Sequence, residues 1–339
     1  MAKIKSKQKI SLVTGGAGFI GSHVSDILLK MGHMVIVLDD LSGGFMRNVN
    51  PKCVFINGSI TDERILDEIF ERYEIDYLYH FAAYAAEGLS HFIRKFNYEN
   101  NLIGSINLIN RSIKNNVKHF VFASSIAVYG TNQNPMVEKL MPMPEDPYGI
   151  AKYATELDIK AAHKVFGLTY TIFRLHNVYG EKQNYGDPYR NVMGIFINNL
   201  LQGKPMPIFG DGKQKRAFSY IDDVTPYIAK CIEYPKAKNE VFNIGADKPY
   251  TILELAYEIA RALKKDPEIK FLAPRKEVLE AYCNHEKAKK VFNIVKTVGL
   301  REGTERMAAW AIFLGSVNPK KFKNIEIRKN IPLGWKRLI

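Results

Sequence analysis

Apolar residues recur at two spacings along the first half of the chain. Ile10, Leu12 and Val13 form a short β-type run that stops at a glycine cluster, and Phe19, Ile20, Val24, Ile27 and Leu28 then follow at helical spacing. The change of period predicts strand, tight turn, helix. Met34 to Leu38 reads as a second strand and Cys53 to Ile56 as a third, after which Thr61-Asp62-Glu63 opens an acidic-started helix. Tyr77 to Phe81 reads as a fourth strand, residues 90–115 as one long helix with Leu102, Ile106 and Ile109 inward, and His119 to Ser124 as a fifth strand. Beyond a proline- and methionine-rich loop, Pro147 opens a helix carrying Tyr148, Lys152, Leu157 and Ala161, and Leu168 to Leu175 is the sixth strand. Strands and helices taking turns over this length predict an α/β fold with a doubly wound parallel sheet.

The pattern weakens near residue 178. From Tyr179 glycine, proline and aromatic residues dominate, a helix is predicted around Val192 to Leu201, and PMPIFGDGKQKRAFSYI reads as a hairpin-like segment. The expected organisation is a first domain over 1–178 and a smaller mixed α/β lobe over 179–339 that binds substrate, with some later segments returning to the first domain. No internal repeat is visible, and no apolar run approaches the roughly 20 residues of a membrane span. The N-terminus lacks the apolar block of a signal peptide.

Composition changes the picture at one point. The 339 residues carry a formal charge of +13, which by itself suggests nucleic acid. The charge is concentrated at the ends, however: Lys3, Lys5, Lys7 and Lys9 at one, and Lys320, Lys321, Lys323, Arg328, Lys329, Lys336 and Arg337 against Glu326 alone at the other. The body between is close to balanced, so solvated basic ends are expected and neither a nucleic-acid nor a membrane partner. Cys53, Cys231 and Cys283 are far apart and match no metal spacing; reduced thiols in a cytoplasmic protein without a metal are expected.

Candidate chemistry begins at the first turn. Gly16, Gly18 and Gly21 satisfy G-x-G-x-x-G, and Gly15, Gly18 and Gly21 the G-x-x-G-x-x-G variant. Such glycines let the chain turn sharply and approach a pyrophosphate seated on the orphan N–H groups of a helix N-terminus. Asp39 ends the second strand at about the 20-residue separation expected of a ribose-holding carboxylate. It would accept hydrogen bonds from the adenosine hydroxyls and repel a 2′-phosphate, which predicts NAD. Ala82 and Ala83 leave room for a flat ligand at the strand edge where open α/β sheets bind ligands.

Tyr148 and Lys152 form Y-x-x-x-K and share one helix face. A phenol with a pKa of about 10 is a poor base at neutral pH, and lowering it by about three units takes on the order of 4 kcal/mol. A neighbouring ammonium and a positive nicotinamide ring would favour the phenolate. Ser125, just past a strand's carboxyl end, can hydrogen-bond the same substrate oxygen.

The glycine fingerprint, ribose carboxylate, serine and Tyr/Lys pair, in this order, resemble the extended short-chain dehydrogenase/reductase family, and within it the NAD-dependent sugar-nucleotide epimerases and dehydratases. TGGAGFIGS, VLDDLSGG, HFAA, SSIAVYG, YGIAK, FRLHNVYG, RAFSYIDDV and FNIGADKPYTILEL all stand where that family has its blocks. The resemblance implies a Rossmann-type domain, with Gly15, Gly18, Phe19, Ile20 and Gly21 at the pyrophosphate. It puts Asp39 and Asp40 on the adenosine ribose, Ser42 and Gly43 beside them, and Ser59 and Ile60 at the adenine. Phe81, Ala82, Ala83, Asn100, Ser124 and Leu175 would line the cofactor, and Lys152 would reach the nicotinamide ribose. Asn177, Asn191, Val192, Arg216 and Arg275 would meet a nucleotide sugar, the arginines suiting a diphosphate. Glu87 and Ser125 would face the sugar, and Tyr282 would gate its size, favouring glucose and galactose over N-acetylated sugars. In relatives the helix at 90–115 and the one bearing Tyr148 form a dimer interface, so a homodimer is expected.

Two departures bear on the reaction. Ser59 stands where many relatives have aspartate. Ile126 and Ala127 stand where the family's dehydratases place Asp-Glu, and neither can move a proton. What remains is hydride chemistry at one carbinol: Tyr148 takes the proton of a sugar 4-hydroxyl, and the expected activity is 4-epimerisation of a nucleotide sugar, UDP-glucose and UDP-galactose first. A nucleotide-sugar 4-dehydrogenase or 4-reductase, or another reaction of the NAD-dependent epimerase/dehydratase family, is the alternative, and a non-catalytic NAD-binding scaffold a remote one.

Overall fold

A computed structural model describes residues 3, 7–131, 134–274, 279–319, 322–332 and 335. Arg275 lies outside them. Among the described residues, seven strands form one parallel sheet: β1 (Ile10–Thr14), β2 (Met34–Asp39), β3 (Val54–Asn57), β4 (Tyr77–His80), β5 (His119–Ser125), β6 (Tyr170–Leu175) and β7 (Glu240–Ile244), in the order β7-β6-β5-β4-β1-β2-β3. The sequence turns back at β1, between β4 and β2, which places the switch point of the sheet beside the glycine turn.

The strands are buried on both faces, and their period of two assigns residues to two cores. Val13, Val37, Tyr79, Val121 and Phe173 point to one side with Val24 and Leu28 of α1 (Phe19–Lys30). Leu12, Ile36, Leu78, Phe120 and Ile172 point to the other, against α2 (Glu63–Arg72), α3 (Gly104–Lys114) and α4 (Pro147–Phe166). Helices on both faces make the sheet doubly wound, as the alternation of elements predicts.

Local signals set the helix ends. The Asp62 side chain accepts from Arg64 N to cap α2, and Asp146 accepts from Gly149 N at 2.9 Å to cap α4, with Pro147 in the first turn. Gly167, left-handed at φ 76°, ends α4.

Three expectations are corrected. The stretch 90–115 is not one helix: Glu87–Ser90 and Arg94–Tyr98 are short helices, and a π turn over Glu99–Ile103 precedes α3. The π turn adds a residue to the repeat and rotates the buried face, so Asn97, Asn101, Ser105, Leu108 and Ile109 are buried while Leu102 and Ile106 are only half-buried. The segment 206–220 is not a hairpin. Met206–Phe209 pairs parallel with Ile269–Leu272, Lys215–Ala217 antiparallel with Pro249–Thr251, and Ser219–Tyr220 parallel with Val178–Tyr179. Each finds its partner far along the chain, which a local pattern cannot show.

The third correction concerns the C-terminal segment, which is not simply a solvated basic tail. Phe322 packs on Tyr84 and Phe96 at 5.2 and 5.1 Å, and Trp335 on Phe92 and Tyr189 at 6.2 and 5.5 Å. The Glu326 carboxylate accepts from Lys95 N and Phe96 N at 2.8 Å each. Lys323, Arg328 and Lys329 face water while the apolar residues between them bind the segment down; Lys320, Lys321, Lys336 and Arg337 lie outside the described residues. The remaining lobe is built around α5 (Val192–Leu201), α6 (Ile252–Leu263) and α7 (Leu300–Leu314), whose apolar faces join the first core. β7, deep in the second half of the sequence, returns to the sheet beside β6.

Candidate active site

The carboxyl ends of β1, β2, β4, β5 and β6 open into a cleft of about 1470 Å³ that runs to the lobe. A single small-ligand pocket is about 300–1,000 Å³, so the space suits two ligands end to end.

One end is built by the first turn. Gly15 sits at φ +70°, where glycine is favoured, and a Cβ on Gly21 would lie 2.3 Å from Gly15 O, so helix and strand meet only without a side chain there. Gly18 caps α1 with no side-chain hydrogen bond, leaving the first N–H groups for a ligand. Asp39 ends β2 with Oδ2 accepting from Ala17 N at 3.0 Å and Oδ1 from Leu41 N at 2.8 Å. Burial raises its pKa, and these N–H groups oppose the rise. The carboxylate therefore braces the turn in addition to facing the cleft. Asp40, Ser42, Gly43, Ser59, Ile60, Phe81, Ala82, Ala83 and Asn100 line this end with Gly15, Gly18, Phe19, Ile20 and Gly21. A cradle of bare N–H groups beside an acidic strand end fits a dinucleotide pyrophosphate and ribose.

The middle of the cleft holds the reactive groups. Ser125 ends β5, and its hydroxyl accepts from Ala127 N at 3.1 Å and shares a hydrogen bond with the Tyr148 phenol. Lys152 lies one turn along α4, its Nζ donating to Ala123 O at 2.8 Å and standing 5.8 Å from the Tyr148 ring centre. Burial holds the Lys152 ammonium down to about 7, with Glu156 opposing. Burial also pushes the Tyr148 phenol well up, more than the Ser125 hydrogen bond and the Arg190 charge pull it down. The sequence predicts a phenol lowered by its neighbours; in the chain alone desolvation outweighs them.

α4 is anchored from behind. Glu156 receives Arg174 through Nε–Oε1 at 2.9 Å and Nη2–Oε2 at 2.6 Å, and Ser124 Oγ donates to Glu156 Oε1 at 2.6 Å. Ser124 and Leu175 line the cleft, but the Ser124 hydroxyl is committed to this staple.

At the far end lie Glu87, Asn177, Asn191, Val192 and Arg216. Asn191 has its amide engaged, Nδ2 donating to Val178 O at 2.9 Å and Oδ1 accepting from Met193 N at 3.2 Å, as the cap of α5. Asn177, at φ 39°, donates to Ala217 O at 3.1 Å. Ala281 lines the cleft; Tyr282 is not among the lining residues, and its carbonyl accepts from Met136 N at 3.0 Å. Sequence reasoning missed Arg190, whose guanidinium lies 5.1 Å over the Tyr84 ring, bonds Asp187 at 2.7 Å and crowds Gly43. It also missed His91, His176 and the C-terminal residues Asn330, Ile331, Pro332 and Trp335, all on the cleft wall. Only the aromatic residues of the tail hinted at them.

Comparison with known proteins agrees with this geometry. The pattern that defines the NAD dependent epimerase/dehydratase family matches residues 11–245. The crystal structure of a Thermotoga maritima UDP-glucose 4-epimerase with UDP-glucose is 38% identical, covers 89% of this chain and 98% of its own, and superposes with a TM-score of 0.84. A Thermus thermophilus UDP-glucose 4-epimerase complex with NAD is 29% identical, with 89% and 98% covered and a TM-score of 0.81. The UDP-glucuronate 4-epimerase of Thermodesulfobacterium geofontis is 31% identical over 94% of this chain and 98% of its own length. With its glycine turn, Ser125, Tyr148 and Lys152 assembled on a doubly wound sheet, the chain belongs to the NAD-dependent epimerase/dehydratase family, whose members are enzymes acting on nucleotide sugars.

Proposed function

We propose that the protein is a nucleotide-sugar 4-epimerase that interconverts UDP-glucose and UDP-galactose. The observation that carries the reading is Ser125, Tyr148 and Lys152 at mid-cleft with the apolar Ile126 and Ala127 next in the chain, which offers proton transfer at one carbinol and none from those two positions. NAD, seated on the glycine turn and Asp39, supplies a reversible hydride acceptor for the sugar C4.

The chain's own residues do the rest. Once its own proton has gone to solvent, the Tyr148 phenolate oxygen takes the proton of the 4-hydroxyl and later returns it to C4–O, with Ser125 hydrogen-bonded to both oxygens as it passes. Lys152, fixed by Ala123 O and close to neutrality at pH 7, adds positive charge beside the phenol when protonated. Arg216 lines the sugar-nucleotide end and Arg190, against Gly43 and Tyr84, the stretch between it and the glycine turn, and both suit a diphosphate. The apolar wall of Ile331, Pro332 and Trp335 excludes water while the sugar turns.

The reading extends to a homodimer through the outer face of α4, where Ile150, Leu157, Val165 and Phe166 are exposed. No helix among the described residues is long and apolar enough to cross a membrane, and the three free cysteines suit a reducing cytoplasm. The test is to incubate purified protein with UDP-, GDP- and dTDP-hexoses and UDP-glucuronate and follow C4 by NMR. A C4-inverted UDP-hexose formed without added NAD is expected. Release of a keto sugar at the expense of added NAD would replace the epimerase by a dehydrogenase.

A further inference from the structure

Next to Asn177, just past the carboxyl end of β6, His176 belongs to a second cluster. His176 Nε2 and His285 Nε2 lie 2.8 Å apart with the ring centres 5.0 Å apart, and Cys283 completes a buried trio whose ligand atoms are all within 4.8 Å of one another. The far sides of the rings fix their tautomers. His285 Nδ1 donates to Asp247 Oδ1 at 2.7 Å, a carboxylate whose other oxygen accepts from Lys289 Nζ at 2.6 Å, and His176 Nδ1 faces the Ala217 carbonyl at 3.3 Å. Both acceptors lack a proton to give. With both Nδ1 positions engaged outward, the two Nε2 atoms face each other at 2.8 Å, a separation that a single shared proton or a metal cation between them accounts for.

We propose that His176, Cys283 and His285 bind a divalent transition-metal ion of the zinc class. Two imidazole nitrogens and a thiolate are a zinc donor set, and three protein ligands leave a fourth position open. A carboxylate behind a ligating histidine, as Asp247 stands behind His285, is the usual outer partner of such a site. Metal–nitrogen bonds of about 2.0–2.1 Å at a tetrahedral angle set the two nitrogens about 3.3 Å apart, so seating the ion parts the nitrogens by about 0.5 Å and turns the rings, which meet nearly end to end, until both lone pairs converge on it. The Cys283 thiol loses its proton to solvent as the metal–sulfur bond forms. The ion would tie the end of β6 to the chain after Ala281, and so fix two stretches of the cleft wall. The ligands come from β6 and from a segment more than a hundred residues later, which is why cysteine spacing gives no metal signal.

The experiment uses the full chain, free of any polyhistidine tag and stripped by chelator, titrated with Co²⁺ and followed by absorption. One equivalent is expected, with tetrahedral ligand-field bands, a near-ultraviolet thiolate-to-cobalt band, and displacement by Zn²⁺. Cys283→Ser loses the thiolate band. Asp247→Asn, at a half-exposed position that the fold tolerates, weakens cobalt binding about 10- to 100-fold. Zn²⁺ raises the Tm of the wild type and leaves that of Cys283→Ser unchanged. Absence of saturable uptake, or a spectrum that Cys283→Ser leaves intact, would overturn the proposal. Neither result depends on which sugar the cleft accepts.

Discussion

Tyr148 holds its proton more tightly in the chain alone than a free phenol does, because burial outweighs Ser125 and Arg190. Its hydroxyl bonds Ser125 and the residue lines the open cleft, so Tyr148→Phe removes the proton carrier without removing the ring. A loss of about 10²–10⁴-fold in turnover is expected, with bound NAD unchanged by absorbance. Lys152 offers a test through stability. Its pKa is lowered to about 7 from 10.5, so between those values the unfolded chain binds a proton that the folded chain does not. Stability therefore rises with pH across that window, and below it the burial cost is constant. Lys152→Met in cofactor-stripped protein is expected to be more stable than wild type by on the order of a few kcal/mol at pH 6, the gap closing toward pH 10 in urea unfolding. A gap independent of pH would mean an ordinary lysine. At this scale the sequence is most readable where chemistry depends on local spacing: Gly15 to Gly21, Asp39 and the Tyr148–Lys152 pair all meet in the cleft. Arg190 was not readable, since only the folded loop brings it against Gly43 and Tyr84.

α4 shows how an element holds those residues still. Its start is fixed by Asp146 and Pro147, and its middle by Glu156, whose carboxylate receives Arg174 of β6 and Ser124 of β5. Lys152 is one turn before Glu156, so the anchor sets where the ammonium sits. Glu156→Gln keeps the shape and leaves the Arg174 charge buried, 2% exposed, without its partner. Breaking such a pair costs about 3–5 kcal/mol. A fall of that size in the stability from urea unfolding, with the slope unchanged, is expected. Elements whose signals are local, such as α2, α5 and the start of α4, are legible to within a residue or two. The helix phase after residue 98 was lost because a π turn leaves no mark in hydrophobic spacing, and the ribbons of the lobe were lost because each strand pairs with one distant in sequence.

Across the whole molecule, the two ends of the cleft are built by different parts of the chain. The dinucleotide end comes mostly from one stretch, β1 to the residues just past β4, joined by Asn100, and could be read from its motifs. The opposite end is assembled from the segment around Glu87, the loop before α5 and the C-terminal residues, which meet only in the folded state. The charge count hid the last of these: Phe322, Ile325, Ile331 and Trp335 lie among lysines and arginines, and a tally of charge sees only the latter. The Trp335 ring stands against Gly88, where an added Cβ would meet its Cη2 at 3.2 Å, and so closes the wall next to Glu87, a residue whose charge is felt at Tyr148. Removing the indole by Trp335→Ala opens that wall to water and frees the strap from Phe92 and Tyr189, while the glycine turn at the other end keeps every contact. Losing about 1.4 kcal/mol of binding corresponds to a tenfold change in affinity. KM for the nucleotide sugar is therefore expected to rise about tenfold with bound NAD unaltered, and a matching loss of NAD would show instead that the strap supports the sheet as a whole.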